Sequence, residues 1–281
     1  MFVSKPLIYT ELHKTAGSHI GKLLAKYVGG EQVGKHNRIP GELRDNFVLG
    51  SIRNPWDWYV SLWGYGCDNR GSVYLQSTRG TSWRYTLRQL PREMGLHRIS
   101  LGRASRQLMH DFNKPVSEWQ AVYQDVNDVS GFRKWVKLMF NPDRALDIGE
   151  GYGFSSFSQQ AGLLSYRFFK LFTSLDQEIY KPTLQTDLSS LVKVWQERGF
   201  IDAFVRQENL EEDFLNALEQ ANIELSDAQK SEIRAARSNK TNTSSRKSAN
   251  HYYDEETANI ILEREKFIVQ QFDYDINSIL R

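Results

Sequence analysis

The segment HKTAGSH, residues 13 to 19, combines residue types that bind phosphate. It joins a short apolar run to an apolar helical stripe, and a loop that opens a helix presents backbone N–H groups and the positive end of the helix dipole to an anion. Gly17 lets the backbone approach a ligand closely, and Lys14 adds a positive charge. Thr15 and Ser18 add hydroxyl donors. The alternative interpretation is an ordinary strand-to-helix turn with a surface lysine.

The order of residues in this loop differs from that of the Walker A motif, GxxxxGK[ST], in which the lysine follows two glycines. In HKTAGSH the lysine comes first. The sequence therefore argues against a nucleotide triphosphatase of the Walker type and favours another phosphate-bearing ligand.

A second candidate segment is SIRNPWDWYVSLW, residues 51 to 63. Arg53 follows an apolar run of strand length, at the end of a strand where the ligands of parallel α/β sheets collect. Ser61 comes eight residues later, within a predicted helix. An arginine and a serine that converge on one spot would suit a second, separate phosphate. The alternative is a capped helix beside an arginine in a structural salt bridge.

Together these segments resemble the signatures of the sulfotransferases that use 3′-phosphoadenosine 5′-phosphosulfate (PAPS). HKTAGSH is similar to their PKTGTT- or PKTAGTS-like first signature, and RNPWDWYVSLW to their second, R-[DN]-P followed by V-S-x-[YW]. GKHNRIPGEL falls where the family often has a KxH segment. VRQENLEEDF and SNKTNTSSRKSANHYYDEET resemble the ENL-x-x-D element and the polar loop of bacterial and carbohydrate-type members. The resemblance covers residues 7–65 and about 200–275 and leaves the middle of the chain unmatched.

The chain departs from the family pattern in two places. His13 stands where the family usually has a proline before the lysine. The RKGxxG cofactor loop of the cytosolic small-molecule enzymes is missing from the sequence. The second departure moves the resemblance toward the glycan-type relatives.

The resemblance implies in-line transfer of a sulfuryl group from PAPS to an acceptor hydroxyl, with no metal ion required. His36, 17 residues before Arg53, would take the proton from the acceptor. Lys14 would stabilise charge on the departing 3′,5′-bisphosphate (PAP). Arg53 and Ser61 would hold the 3′-phosphate, and Arg246 with Lys247 or Lys240 would form a second clamp. The implied cofactor-binding residues of the first loop are Lys14, Thr15, Ala16, Gly17, Ser18 and His19.

The acceptor side of the molecule is predicted from charge. Residues 70 to 106 contain eight arginines, no lysine and a single acid, Glu93. Arginine forks bind carboxylate and sulfate in bidentate fashion, so Arg84, Arg88 and Arg92 are candidates for binding an anionic glycan acceptor, with Trp58 stacking on a sugar ring. The alternatives are an arginine-rich solvated face and a tryptophan in the core.

Composition limits the class of protein. The 281 residues carry 36 basic and 34 acidic side chains, a net charge of +2, so no global field attracts nucleic acid or a membrane. One cysteine, Cys67, excludes an internal disulfide framework and fits a reducing compartment. No apolar stretch has the length of a membrane span. We therefore expect a cytoplasmic protein.

The alternation of strand-like and helical segments predicts the fold. An apolar run at 6–12 precedes a helical stripe, and NFVLGSI at 46–52 precedes a helix that begins at Pro55. We expect one α/β domain over 1–281, with a central parallel sheet flanked by helices. The resemblance implies a three-layer sandwich like that of P-loop NTPases. Residues 66–160 are expected to form an irregular, partly helical insertion over the acceptor.

The same patterns predict further elements along the chain. Residues 66–115 show no clean periodicity and are expected to be irregular. A strand that runs into a helix is predicted at 204–222. Further helices are predicted at 129–140, 159–172, 187–198 and from about 254 to 271.

Two other functions remain open from the sequence. One is a nucleotide-dependent kinase of related architecture, although the chain lacks the Walker A lysine position and a clear acidic magnesium ligand. The other is a catalytically silent nucleotide-binding or scaffold protein. Loss of transfer with retention of PAP binding in a His36→Ala variant would separate these possibilities.

Overall fold

A computed structural model of the chain describes residues 1–236 and 246–280. The chain divides into two compact units. Unit 1 contains the described residues of Met1–Asn54, Arg167–Ser174 and Val194–Ser244. Unit 2 contains those of Pro55–Tyr166, Leu175–Lys193 and Ser245–Arg281. The predicted insertion at 66–160 lies entirely within unit 2, and its position over an acceptor stays a prediction.

Unit 1 is built on a five-stranded sheet in the order β3-β1-β2-β4-β5. Its strands are β1 (Phe2–Val3), β2 (Leu7–Thr10), β3 (Glu31–Gln32), β4 (Phe47–Ile52) and β5 (Ala203–Arg206). Strands β2, β4 and β5 are parallel, whereas β1 is antiparallel to both β2 and β3. The α/β class is confirmed, but the sheet is mixed. A tight turn in which Ser4 N–H donates to the Leu7 carbonyl joins β1 to β2, and so short a connection permits only an antiparallel pair.

The register of the parallel strands determines where the loops of the predicted site begin. Thr10 pairs with Gly50 in the neighbouring strand, and Ile52 pairs with Arg206 in the next. The carboxyl ends of β2, β4 and β5 therefore meet at one edge of the sheet. Ligands of open α/β sheets bind at this edge.

Helices α1 (Gly17–Tyr27), α11 (Leu210–Gln220) and α12 (Asp227–Ala235) complete unit 1 around an apolar core. The predicted stripe of α1 is confirmed, because Ile20, Leu23 and Leu24 are buried. Leu210, Phe214 and Leu218 of α11 lie in the same core. Burial of these two stripes positions the start of α1, and with it the HKTAGSH loop.

Unit 2 is mainly helical. Helices α9 (Leu163–Phe172) and α10 (Leu188–Arg198) contribute residues to both units. Unit 2 also includes α2 (Pro55–Cys67), α3 (Ser72–Ser77), α4 (Leu90–Glu93), α5 (Leu101–Phe112), α6 (Val116–Ala121), α7 (Val129–Phe140), α8 (Phe157–Gln160), α13 (Glu255–Arg264) and α14 (Lys266–Gln271). Short 3₁₀ helices cover Pro142–Asp147, Tyr152–Phe154, Asp176–Tyr180, Ala249–His251 and Ile276–Ser278 in this unit, and Gly41–Leu43 and Gln207–Asn209 in unit 1.

The predicted irregular segment at 66–115 is largely helical. In α5 the buried residues are Ala104, Gln107 and Asp111, while Leu101 and Phe112 are exposed. The helical period is therefore carried by small and polar residues, which a search for apolar periodicity does not detect. The helix over 83–93 contains π-helical turns at Tyr85–Gln89. These turns accommodate Pro91, which lacks an N–H donor and clashes with an α-helical carbonyl four residues earlier.

Among the residues that the structure describes, no helix has both the length and the apolar character needed to cross a bilayer.

Candidate functional site

The HKTAGSH loop connects β2 to α1 with two residues in the left-handed region. Lys14 has φ of 65° and Ala16 has φ of 64°. The first turn of α1 is closed by His19 N–H, which donates to the Ala16 carbonyl at 2.8 Å. The amides of Gly17 and Ser18 precede that bond, and the first N–H groups of a helix have no acceptor within the helix. Successive residues whose φ alternates in sign can form a concave nest of N–H groups that binds anions. Backbone strain of this kind clusters at functional sites.

Thr15 belongs to the core, although the sequence predicts it as a hydroxyl donor to the cofactor. Its side chain is buried, and Oγ1 donates to the Leu12 carbonyl at 2.8 Å. The same atom lies 2.7 Å from Ser51 Oγ, which in turn lies 3.0 Å from the Tyr9 hydroxyl. These bonds join the loop to β4, so the Thr15 hydroxyl is already engaged and only its main chain is left for a ligand.

Glu11 is a component of the site that the motif analysis missed. It is buried, and a Cβ added to Gly17 would lie 1.5 Å from Glu11 Oε2. The Glu11 carboxyl group is therefore by itself sufficient to require glycine at position 17. Burial raises the pKa of Glu11, although the positive charges of the Met1 ammonium group and of Lys35 lower it.

His36 is attached to the beginning of the loop. Its Nδ1 lies 3.1 Å from the Glu11 carbonyl, and Thr10 Oγ1 donates to the Asn37 carbonyl at 2.9 Å. A carbonyl oxygen can only accept a hydrogen bond, so we infer that Nδ1 donates in this contact, and in the neutral ring the lone pair then lies on Nε2. His36 also has a positive φ, 55°. Its ring stacks on that of His13, with centroids 3.5 Å apart.

Two further cations lie at the loop. Arg53 follows β4 as predicted, and its Nη1 donates to the Lys14 carbonyl at 3.3 Å. Lys35, which the sequence analysis left unassigned, donates from Nζ to Ser18 Oγ at 3.3 Å. The only sequence signal for Lys35 is that it precedes His36. The structure thus gathers the loop, His36, Lys35 and Arg53 at one edge of the unit 1 sheet.

The ENLEEDF segment stabilises this edge rather than entering the site. Glu208 Oε1 accepts from the Asn54 N–H at 2.7 Å, directly after Arg53. Asp213 accepts from the backbone and guanidinium of Arg206 at the end of β5. Burial tends to raise the pKa of Asp213, but these hydrogen bonds outweigh it and the pKa is lowered. Both acids therefore hold the carboxyl ends of the strands from which the site loops begin.

The other predicted phosphate ligands lie in unit 2. Arg246 Nη1 is 4.0 Å from Asp57 Oδ1, and its Cδ would lie 3.5 Å from a Cβ at Gly64. Asp57, Ser61 and Gly64 share one face of α2 by their helical spacing, so Arg246 lies along the face that carries Ser61. The Lys247 amide donates to the Tyr252 hydroxyl at 3.1 Å. Lys240 lies outside the described residues. The joint role of Arg53 and Ser61 at a 3′-phosphate stays a prediction.

The predicted acceptor residues have different outcomes. Trp58 is completely buried, with its ring against the edge of Tyr59 at 4.8 Å, so the prediction that it stacks on a sugar is wrong. Its helical position places it in the aromatic core of unit 2. Arg84, Arg88 and Arg92 are all exposed, as an anion-binding role requires.

The described residues contain no group of three or more His, Cys, Asp and Glu side chains arranged to bind a metal ion. Comparison of the chain with protein-family models, with curated proteins and with solved structures finds no match to any of them.

Proposed function

We propose that this protein is a sulfotransferase that moves a sulfuryl group from PAPS to an acceptor hydroxyl, on a fold of the P-loop-like sandwich type. The observation that supports this most strongly is the hydrogen bond from His36 Nδ1 to the Glu11 carbonyl. It attaches the candidate base to the start of the candidate phosphate loop. The proposal otherwise depends on the resemblance of the sequence motifs.

The unit 1 loop supplies positive potential without a metal ion. The Gly17 and Ser18 amides, the α1 dipole and the Lys14 ammonium would neutralise the 5′-phosphate. Lys35 adds a second cation at Ser18. Removal of one such electrostatic contact to a developing charge typically costs ~10²–10³ in rate.

His36 would act as the general base through Nε2. As the acceptor oxygen forms its bond to sulfur, Nε2 takes the hydroxyl proton, while the bond between sulfur and the 5′-phosphate oxygen breaks and its electron pair stays on that oxygen. Lys14 would neutralise the charge that develops there. A positioned base contributes ~10²–10⁴ in rate. The hydrogen bond at Nδ1 keeps the ring in the required tautomer.

We propose a carbohydrate as the acceptor and the cytoplasm as the compartment. The carbohydrate assignment comes from the glycan-type motifs. An anionic acceptor would depend on Arg84, Arg88 and Arg92, which lie among exposed apolar side chains of unit 2.

Thermal unfolding with a nucleotide panel tests the cofactor assignment. A ligand at 100 times its dissociation constant adds ~2.7 kcal/mol to the free energy of unfolding. We expect PAP to stabilise the protein clearly and ATP with magnesium to have little effect. Lys14→Ala should remove the PAP effect, while Lys22→Ala, at an exposed position of the same helix, should retain it. Stabilisation by ATP with magnesium but not by PAP would favour a kinase.

Transfer of labelled sulfate to a panel of sugars tests the activity itself. PAP binding without transfer to any hydroxyl acceptor would favour the silent nucleotide-binding protein. Transfer that His36→Ala abolishes would support the enzyme.

A further inference from the structure

Large apolar side chains are exposed over one region of unit 2. Trp83 is 63% exposed, Leu101 89% and Phe112 76%, and the other members of the set also exceed half of their full exposure. The set consists of Leu75, Trp83, Leu87, Leu101, Met109 and Phe112. They come from α3, the helix over 83–93 and α5, and α5 packs against that helix. Large exposed apolar side chains on neighbouring helices are typical of a region that contacts a partner or a membrane.

Half of the arginines in this region are engaged inside the unit. Their guanidinium groups lie over aromatic rings of the same unit: Arg70 over Tyr65, Arg79 over Tyr85, Arg103 over Tyr180 and Arg106 over Phe154. The other four are exposed, and the described residues offer them no hydrogen-bond or ion-pair partner: Arg84, Arg88, Arg92 and Arg98. These four arginines lie between residues 84 and 98, and the exposed Leu87 lies in the same segment.

The sequence around these four arginines contains little negative charge. Glu93 is the single acid between residues 70 and 106. Its Oε2 accepts from the Tyr85 hydroxyl and from the Glu150 N–H, each at 2.9 Å, so it is turned into the unit. The exposed surface therefore combines apolar side chains with uncompensated positive charge.

We infer that this surface, which we call the arginine–apolar face, docks on an anionic lipid bilayer. It consists of the six exposed apolar residues and the four exposed arginines given above. Leucine, methionine and phenylalanine side chains gain free energy by entering the headgroup boundary, where arginines meet anionic headgroups. A glycan acceptor would match the arginines but not the exposed Leu101, Met109 and Phe112. A second copy of the chain would bring two arginine clusters together, which repel each other.

The inferred contact is peripheral. It requires no spanning helix, because interfacial binding needs only apolar side chains at a depth of about 5–10 Å together with attraction to anionic lipid. The inference is independent of the proposed sulfotransferase activity, since it concerns a surface of unit 2 and neither the loop nor His36.

Sedimentation of the full-length protein with lipid vesicles tests this inference. We expect the protein to bind vesicles of phosphatidylcholine mixed with phosphatidylserine and to bind pure phosphatidylcholine vesicles much more weakly. Added salt should weaken the binding, because exposed charges are screened within about 10 Å at 0.1 M ionic strength. Equal binding to both kinds of vesicle, or no binding to either at low salt, would overturn the inference.

Paired variants separate the two contributions. Each arginine near an anionic surface contributes about a five-fold factor, so Arg84→Gln with Arg88→Gln should weaken partitioning about 25-fold. Leu101→Ala with Phe112→Ala should weaken it about ten-fold or more through lost apolar burial. Lys22→Gln with Lys230→Gln removes the same charge from exposed positions of unit 1 and should have little effect. All of these side chains are exposed, so unchanged melting curves should confirm that the variants fold.

Two other occupants of the face would be recognised in the same experiments. If the protein forms a dimer in solution, and Leu101→Ala with Phe112→Ala dissociates it, the face binds a second copy of the chain and not a bilayer. Tight binding to a soluble sulfated polysaccharide, with no binding to anionic vesicles, would show that the arginines bind a glycan. Vesicle binding that depends on both pairs of residues would support the bilayer.

Discussion

The imidazole rings of His13 and His36 stack with their centroids 3.5 Å apart and their planes 14° apart. One of these residues is the candidate base, and the other replaces the proline of the related loops. A ring packed against His36 restricts its rotation, while the Glu11 carbonyl fixes Nδ1. His13, which stands where the loops that the sequence resembles have a proline, would therefore orient the proposed base.

The stacking of His13 on His36 predicts that His13→Ala lowers the transfer rate more than His13→Phe does. His13→Ala should lower the transfer rate about ten-fold. A positioned base contributes ~10²–10⁴ in rate, and part of this is lost when the base is positioned less precisely. His13→Phe keeps a flat ring against His36 and should stay close to the wild-type rate. Turnover at saturating PAPS measures both variants. Equal losses in the two would show that the His13 nitrogen atoms, rather than the stack, are needed.

Removal of the base should separate chemistry from binding. His36→Ala is expected to lower transfer by ~10²–10⁴ while PAP still stabilises the protein against heat. His97→Ala, which removes an exposed histidine of unit 2, serves as the matched control and should keep full activity. Undiminished transfer by the His36 variant would exclude this residue as the base.

Gly17→Ala should destabilise the phosphate loop. The added Cβ would lie 1.5 Å from Glu11 Oε2 and 2.8 Å from Glu11 Cβ, so the loop or the buried carboxyl must move. Overpacking of this kind costs typically ~1–3 kcal/mol. Gly41→Ala in the same unit meets nothing within 4 Å and should change the free energy of unfolding very little. Chemical denaturation compares the two, and similar values for both would contradict the arrangement of Glu11 under Gly17.

Substitution of Thr15 should lower stability, whereas substitution of Ser18 should weaken PAP binding. Thr15→Val removes a buried hydroxyl that bonds the Leu12 carbonyl and Ser51, and should cost ~1–3 kcal/mol of stability. Ser18→Ala changes an exposed side chain and should leave stability nearly unchanged while weakening PAP binding. Unfolding curves and calorimetric titration with PAP measure the two effects. Loss of PAP binding without loss of stability in Thr15→Val would place its hydroxyl at the ligand instead.

Stability should fall as pH rises through the range in which Glu265 ionises. Burial raises its pKa from 4.5 to about 7, although Ser165, Tyr59 and the Leu164 amide donate hydrogen bonds that lower it. The folded state thus binds this proton more tightly than the unfolded state. Its contribution is fully present below pH 4.5 and is lost as pH rises through about 7. The shift corresponds to about 3 kcal/mol.

Glu265→Gln should flatten this pH dependence, because an amide does not ionise. Tryptophan fluorescence is a suitable probe, since six of the seven tryptophans lie in unit 2 with Glu265. Glu118→Gln, at an exposed position of the same unit, should retain the wild-type pH dependence. A wild-type free energy of unfolding that stays constant between pH 5 and pH 7 would contradict the raised pKa of Glu265.

The sequence by itself determined the elements whose signal is local. Apolar periodicity located α1 and α7, Pro55 marked the start of α2, and the order of strands and helices indicated the α/β class. The composition of HKTAGSH also indicated a loop that opens a helix, and α1 begins within it at Gly17. Each of these signals arises among residues close in the chain, so no tertiary contact is needed to recognise it.

Tertiary structure alone decided which side chains of these segments are buried and which contact the loop. Thr15 and Trp58 have the residue types of a binding site, yet both are directed into a core. Glu11 and Lys35 carry no motif, yet one lies under Gly17 and the other bonds Ser18. The pairing of β2 with β4 and the attachment of residues 36–37 to the end of β2 create these neighbours. The contacts of Lys35 with Ser18, His36 with Glu11 and Tyr9 with Ser51 join residues 17 to 42 positions apart, and their direction depends on the packing of the whole unit rather than on any local pattern.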